Sequence, residues 1–445
     1  MDLLCNILSE NSETRRNTAC ATLRMVEGSA AGIGRNEVGE KITNGLYDAI
    51  LPGMKRIVVV GAGFVGLRVA RLLKNKDPEL EVFLVDKKDH FLFTPWIIDA
   101  LAGDLKYEDI TIDLNIVAEH DGINFIVGEV IAIDRNENTI SIKTTEDTSS
   151  MAYDVLILSI GARTSYYGIP GAKEHSYPLK TSGDIRRVHE ALRGLFHSAA
   201  QISDPEKRRQ YLSIIVVGAG PSGIEATFSV IHYVRKLKRK GSLPKDCEVK
   251  IHVIQAGPQI LPGFSEKIVD TAADELRKAG VLVLTGETVK NVDEQAMETS
   301  SGKRIPVRFT LWTAGLEASP IIFEPKPETM HGGYITVDNY LRVTDNIFAG
   351  GDITFFKHKG APVPKTAQSA MQMAGVIVEN VLRCCKDAKM KPYNYMDKGV
   401  LLTAERAGII TIGHLVTITS PLVIPIRKLL YRYRFYQMTG FWKKP

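Results

Sequence analysis

Hydrophobic residues in this chain gather into short unbroken runs that end in glycine, and helical spacing fills the stretches between them. The run KRIVVVGAGFVG at 55–66 lacks the alternation of a half-exposed strand, so it predicts a strand buried on both faces, as in a parallel sheet. Leu67, Val69, Ala70, Leu72 and Leu73 then repeat with helical spacing, and EVFLVD forms a second strand ending in Asp86. The same order returns from IIVVGAGPSG at 214–223. A helix bearing Glu225 follows, then a basic stretch YVRKLKRKGSLPKD read as helix extension and loop, then EVKIHVIQ ending in Gln255. Further strands are expected in YDVLILSIGA (153–162) and FTLWTAG (309–315), and a single strand in LRVTDNIFAGGDIT (341–354) entering Gly350-Gly351-Asp352. From Ala367 a helix is expected, with Ala367, Ala370, Met371, Ala374, Val378 and Val381 as its core face. Gln368 and Gln372 stand one turn apart beside that face, where two amides on a solvated flank are the alternative to a functional pair. The pattern is α/β, with two Rossmann-like dinucleotide-binding domains.

Both glycine turns follow an apolar strand and open a helix, which gives the spacing its chemical meaning. Gly61, Gly63 and Gly66, and again Gly218, Gly220 and Gly223, permit a tight turn and close approach of a pyrophosphate to a helix N-terminus. Asp86 is placed to take ribose hydroxyls. Two such sites imply two different dinucleotides, and the economical pair is a flavin held permanently and a nicotinamide that visits.

Charge and cysteine content change the picture little. A net charge of +5 does not argue for nucleic acid. The five cysteines (Cys5, Cys20, Cys247, Cys384, Cys385) form no metal or disulfide framework. Residues 1–53 mix acids and bases without a signal-peptide run and are expected to be a dispensable or disordered extension, with Met54 looking like a natural domain start.

Together, these motifs resemble the two-dinucleotide flavoprotein disulfide-reductase superfamily over about residues 54–385. That resemblance implies FAD, with Gly351 and Asp352 at its ribityl chain and the turns at Gly161 and Gly315 marking crossings between FAD and NAD(P) domains. No CxxxxC or CxxC pair is present, which weighs against sulfur chemistry. DHFLFTPWIIDALAGDL (89–105) and PKTAQSAMQ (364–372) are similar to type II NADH dehydrogenase, a single-subunit NADH:quinone oxidoreductase that pumps no protons. The likeness places Thr94 and Pro95 near the flavin, and Ala367, Gln368 and Gln372 beside the isoalloxazine and quinone pocket. It also places Glu225 near the flavin–nicotinamide region, with a structural ion pair as the alternative role. Quinone carbonyls need hydrogen bonds, which neutral amides donate without moving a proton.

A quinone substrate implies a membrane surface. Residues 407–426 carry no Asp, Glu, Lys or Arg, yet alternating Thr411, Thr417 and Thr419 and the breaks at Pro421 and Pro425 favour strand over a spanning helix. Beyond Pro425, a helix is expected with Ile426, Leu429, Leu430, Tyr433 and Tyr436 on one face and Arg427, Lys428, Arg432 and Arg434 on the other. Such a basic amphipathic helix suits a lipid surface, giving a peripheral enzyme on the cytoplasmic face of a prokaryotic membrane or on an organelle inner membrane; a basic helix packed on the protein's own core or at a dimer interface is the alternative. A homodimer is compatible with the sequence, which does not decide it.

Gln255 in place of an acid removes repulsion of a 2′-phosphate, while QAGPQILPGF offers no cation to hold one; NADH with tolerated NADPH is the expectation. The expected layout is an extension at 1–53, FAD domain at 54–175 and 319–395, NAD(P)H domain at 176–318, and a membrane-anchoring region at 396–445. The competing readings are a sulfide:quinone oxidoreductase, a reductase of a soluble acceptor, and an NADH-responsive binding flavoprotein of apoptosis-inducing-factor type.

Overall fold

The computed structural model describes residues 55–241, 244, 247–386, 388–403, 408–412 and 416–443. The 1–53 extension therefore lies outside the described residues.

Strand β1 (Arg56–Val60) is buried at every position, as its unbroken apolar run requires. It leads through the first glycine turn into helix α1 (Gly66–Lys76) and back to β2 (Glu81–Asp86), which pairs parallel to β1. A short helix α2 (Ile97–Leu101) follows the buried Phe93 and Trp96. Strand β3 (Asn124–Val127) extends the sheet beyond β2, and β4 (Val155–Leu158) pairs with β1 on its other side.

From β4 the chain enters β5 (Ala162–Thr164), half of a two-stranded antiparallel ribbon. A second parallel sheet is then built from β6 (Tyr177–Pro178), β7 (Ser213–Val217), β8 (Lys250–Gln255), β9 (Leu282–Thr285) and β10 (Phe309–Trp312), in spatial order β6-β10-β7-β8-β9. The 19-residue helix α3 (Ser182–Ala200), which the sequence reading did not resolve, precedes β7, and α4 (Pro221–Arg239) connects β7 to β8. The chain leaves this sheet through β11 (Leu316–Ala318), the ribbon partner of β5.

The stretch 341–354 corrects the sequence reading: it is a hairpin, not one strand. β12 (Arg342–Thr344) and β13 (Ile347–Ala349) pair antiparallel about Asp345-Asn346, turn-forming residues that interrupt the apolar run. β13 then joins β4 in parallel and delivers the chain to Gly350.

Helix α5 (Ala367–Cys384) starts at Thr366, whose hydroxyl accepts from the Ser369 amide at 3.2 Å. Its buried face is Ala370, Met373, Ala374, Ile377, Val378 and Val381. The expected face was therefore rotated: Ala367 and Met371 are only partly buried, and Met373 and Ile377 take the core. Spacing of three and four residues from Ala370 reaches Met373, Ala374 and Ile377 in one stripe; Met371 falls at its edge, and Ala367 lies on the stripe but is the first residue of the helix.

The C-terminal region opens with a small antiparallel sheet of β14 (Leu401–Thr403), β15 (Gly408–Ile412) and β16 (Val416–Ser420), followed by helix α6 (Val423–Thr439). Among the described residues no helix is long and apolar enough to cross a membrane. The apolar face expected of α6 is outward at Ile426, Leu429, Leu430 and Tyr436, and the expectation needs correction at Arg427. Arg427 is 4% exposed and points into the protein with Val423, Phe435 and Met438, while Leu422, Ile426 and Leu429 are 71%, 52% and 63% exposed. Specific partners set this orientation: Asp99 of α2 pairs with Arg427, and Trp96 stacks on Phe435 at 5.1 Å.

Candidate functional site

The two glycine turns are built alike. Gly61 has φ +94°, and a β-carbon there would lie 2.5 Å from the Ser159 carbonyl oxygen; one on Gly66 would lie 1.8 Å from the Gly61 oxygen. Gly218 has φ +98°, and a β-carbon on Gly223 would lie 1.8 Å from the Gly218 oxygen. Gly63 and Gly220 differ from these, since an added β-carbon at either meets nothing within 4 Å. The outer glycines thus close the turn, and the middle glycine faces open space before a helix whose first turn carries no acid. A pyrophosphate fits that arrangement at both turns.

The strand ends complete the likeness. Asp86 accepts from the Ala62 amide at 2.7 Å and from the Lys88 amide at 2.9 Å. Gln255 accepts from the equivalent amide, Ala219, at 2.9 Å through Oε1. The glutamine thus reproduces the loop-anchoring bond of an acid while bringing no charge to the second site.

Gly351 and Asp352 form a short turn after β13, with Gly351 at φ +79°. Two lysines that the sequence reading did not single out meet there. Lys180 pairs with the Asp352 carboxylate at 3.1 Å. Lys365 donates to the Asp352 and Thr354 carbonyls at 2.9 and 2.8 Å and sits 3.8 Å from the centre of the Tyr334 ring. Burial pushes its ammonium down to about 8, against the opposing pull of Asp352. Gly161 and Gly315 both have positive φ, at +71° and +74°, beside the β5–β11 ribbon. Thr94 is exposed and Pro95 partly so, on a single turn whose flanking Phe93 and Trp96 are buried.

Gln368, Gln372 and Glu225 converge on one stretch of chain. Gln372 donates to the Met396 carbonyl at 2.8 Å and accepts from the Met396 amide at 3.0 Å. Gln368 accepts from the Lys398 amide at 3.2 Å and hydrogen-bonds Tyr395. Glu225 accepts from both the amide and the hydroxyl of Thr403, each at 3.0 Å. A strap spanning 395–403 therefore runs from the glutamines of α5 to the glutamate of α4.

Charged groups from three helices meet behind Glu225. Burial raises its carboxyl above the ordinary range, opposed by Arg427 and by the Thr403 bonds. Burial likewise raises Asp99, opposed by its ion pair with Arg427. The Arg427 guanidinium lies 5.0 Å from the Tyr431 ring centre, and burial raises the Tyr431 phenol. No local signal in the sequence joins Asp99 to Arg427, which are 328 residues apart. Cys247 is buried, and Cys384 and Cys385 end α5, so no two-cysteine centre stands among the described residues near the strap.

A family model described as pyridine nucleotide-disulphide oxidoreductase matches residues 55–374. The type II NADH:quinone oxidoreductase of Staphylococcus aureus is 29% identical over 361 residues, covering 78% of this chain and 87% of that protein. Its counterpart in Staphylococcus saprophyticus is 28% identical over 355 residues with the same coverage. Among solved structures, NDH2 from Plasmodium falciparum in complex with NADH superposes with a TM-score of 0.77 at 18% identity, covering 87% of this chain and 96% of that one. The sulfide:quinone oxidoreductase of Aquifex aeolicus gives 0.71 at 20% identity, with 87% and 92% covered. At these identities the structural likenesses speak for the fold.

Proposed function

This chain belongs to the pyridine nucleotide-disulphide oxidoreductase family, and on that premise we propose that it is a type II NADH:quinone oxidoreductase holding FAD. The observation that carries the reading is the pair of matched glycine cradles, one backed by Asp86 and one by Gln255. Bound flavin supplies a two-electron acceptor for hydride and a donor to quinone. The chain's part is placement: the two glycine cradles would hold two dinucleotides, and the proximity this gives their reacting groups would contribute several kcal/mol. Asp352 with Gly351 holds the flavin ribityl region, and Lys180 and Lys365 fix the carboxylate and backbone of that turn. Gln368 and Gln372 face the quinone side, with Ala367, Thr94 and Pro95 lining the flavin. Glu225, its carboxyl raised by burial, is the group able to hold or release a proton beside the strap. In this layout 54–175 and 319–395 form the FAD half, 176–318 the NAD(P)H half and 396–445 the docking region.

Steady-state oxidation of NADH with a short-chain quinone tests the reading. Quinone-dependent turnover is expected; fast flavin reduction without it points to a binding flavoprotein, and oxidation of sulfide to a sulfide:quinone enzyme. In the same assay NADH is the better donor and NADPH is tolerated. Gln255→Glu, which retains the bond to Ala219, is expected to cut kcat/KM for NADPH about tenfold or more and to spare NADH. A hundredfold NADPH preference in the unaltered protein overturns the donor assignment.

A peripheral membrane position is part of the proposal. The outward row Leu422, Ile426 and Leu429, with Trp442 stacked on Tyr436 at 4.7 Å, offers an apolar strip, and no acid follows Glu405. Ile426→Glu with Leu429→Glu is expected to weaken sedimentation with anionic vesicles more than tenfold, since each buried aliphatic side chain contributes about 1.5–3 kcal/mol. Unchanged sedimentation, or loss of a concentration-dependent dimer instead, reassigns the strip to a homodimer interface.

A further inference from the structure

A second cavity, separate from the dinucleotide cradles, lies between α3, the C-terminal half of α4 and the 100–108 segment after α2, and has a volume of about 400 Å³. We propose that it binds a phosphate ester. Five cations line it, Lys106, Arg186, Arg193, Lys236 and Lys240, against two carboxylates, Glu108 and Glu190. Lys236 is engaged, donating to the Gly103 carbonyl and pairing with Asp104 at 3.1 Å. The other four have no carboxylate within ion-pair distance among the described residues, and Arg193 meets only the Tyr233 hydroxyl, at 3.2 Å. With Lys236 held by Asp104, four cations face two carboxylates across one concavity, and this excess of two positive charges (4 − 2) raises the local concentration of anions, while guanidinium groups pair with phosphate oxygens two at a time.

The walls are fixed before any ligand arrives. His189 hydrogen-bonds the Leu101 carbonyl at 3.0 Å and stacks on Tyr233 at 4.5 Å, which ties α3 to both other walls. Apolar surface from Ala100, Leu105 and Ile185 accompanies the cations, so the site suits an ester with a carbon moiety better than bare phosphate. Two sources share this chemistry, an anionic phospholipid headgroup and a soluble sugar or glycerol phosphate. The tail favours the lipid: Lys443, beside the exposed Trp442, donates to the carbonyl of Glu108 on the cavity wall.

The test is calorimetric titration of the flavin-loaded full chain with dihexanoyl phosphatidic acid below its micelle concentration, glycerol 3-phosphate and inorganic phosphate. Each is repeated on an Arg186→Gln/Lys240→Gln double variant whose flavin spectrum and melting temperature match the parent. Binding of the lipid, weakened about tenfold or more in the double variant, with weak binding of the soluble esters, establishes the lipid source. Glycerol 3-phosphate binding as tightly as the lipid, and equally sensitive to the double variant, establishes a soluble source. Absence of binding by every probe, or binding that the double variant leaves unchanged, overturns the proposal. The readout is binding and not turnover, so it stands or falls independently of the quinone reductase reading.

Discussion

An Arg427→Met variant is expected to lose about 3–5 kcal/mol of stability, because removing one member of a buried ion pair leaves the other charged and unpartnered. Side-chain exposures of 5% for Arg427 and 14% for Asp99 place the pair well inside the protein. Burial already raises the Asp99 carboxyl, and Arg427 opposes that shift; Glu225 stands in the same relation to Arg427. A carboxyl whose folded pKa exceeds its unfolded value takes up protons on folding, so stability falls as pH rises between the two. Loss of Arg427 raises both folded values further. The deficit of the variant is therefore smallest at acid pH, where both carboxyls are protonated in either chain, and grows toward neutral pH. Thermal melts at acid and neutral pH read this directly. Asp99→Asn in the Arg427→Met background is expected to restore part of the loss, since it removes the stranded charge. A pH-independent deficit, or a double variant no more stable than the single, would show that Arg427 acts through packing alone.

That pair also marks where the sequence stops being legible. The glycine turns were readable because their logic is local: Gly61 and Gly66 nearly touch, and each turn is bracketed by the strand and helix that require it. Asp86 and Gln255 were readable for the same reason, as the last residues of adjoining strands. The outward apolar face of α6 was legible from its spacing, but the inward turn of Arg427 was not, because it depends on Asp99, 328 residues earlier. Lys180 and Asp352, 172 residues apart, were hidden likewise. The 341–354 hairpin was missed because Asp345 and Asn346 interrupt a run whose two halves are each too short to show their own period. Gln368 and Gln372 were readable as a pair on one flank, while their partners in the 395–398 strap were not.

Those partners sharpen the second large effect. Replacing Gln368 and Gln372 together with Ala is expected to slow quinone reduction about a hundredfold while changing flavin reduction by NADH far less, as follows when a group contacts only the second substrate. The half-reactions separate in stopped flow, as bleaching of the flavin by NADH and its recovery on adding quinone. The structure supplies a competing account: the same amides clasp Met396 and Lys398, so the double variant also frees one end of the strap. Thr403→Val distinguishes the two accounts, since it removes the hydroxyl bond to Glu225 and loosens the other end without touching either glutamine. If quinone reduction depends on the amides themselves, Thr403→Val, which also releases one bond on the Glu225 carboxylate, slows it far less than the glutamine variant does. If it depends on a taut strap, both variants slow it alike. Equal loss of both half-reactions in the glutamine variant would instead make Gln368 and Gln372 scaffold, with Met396 and Lys398 as the reason two amides stand one turn apart.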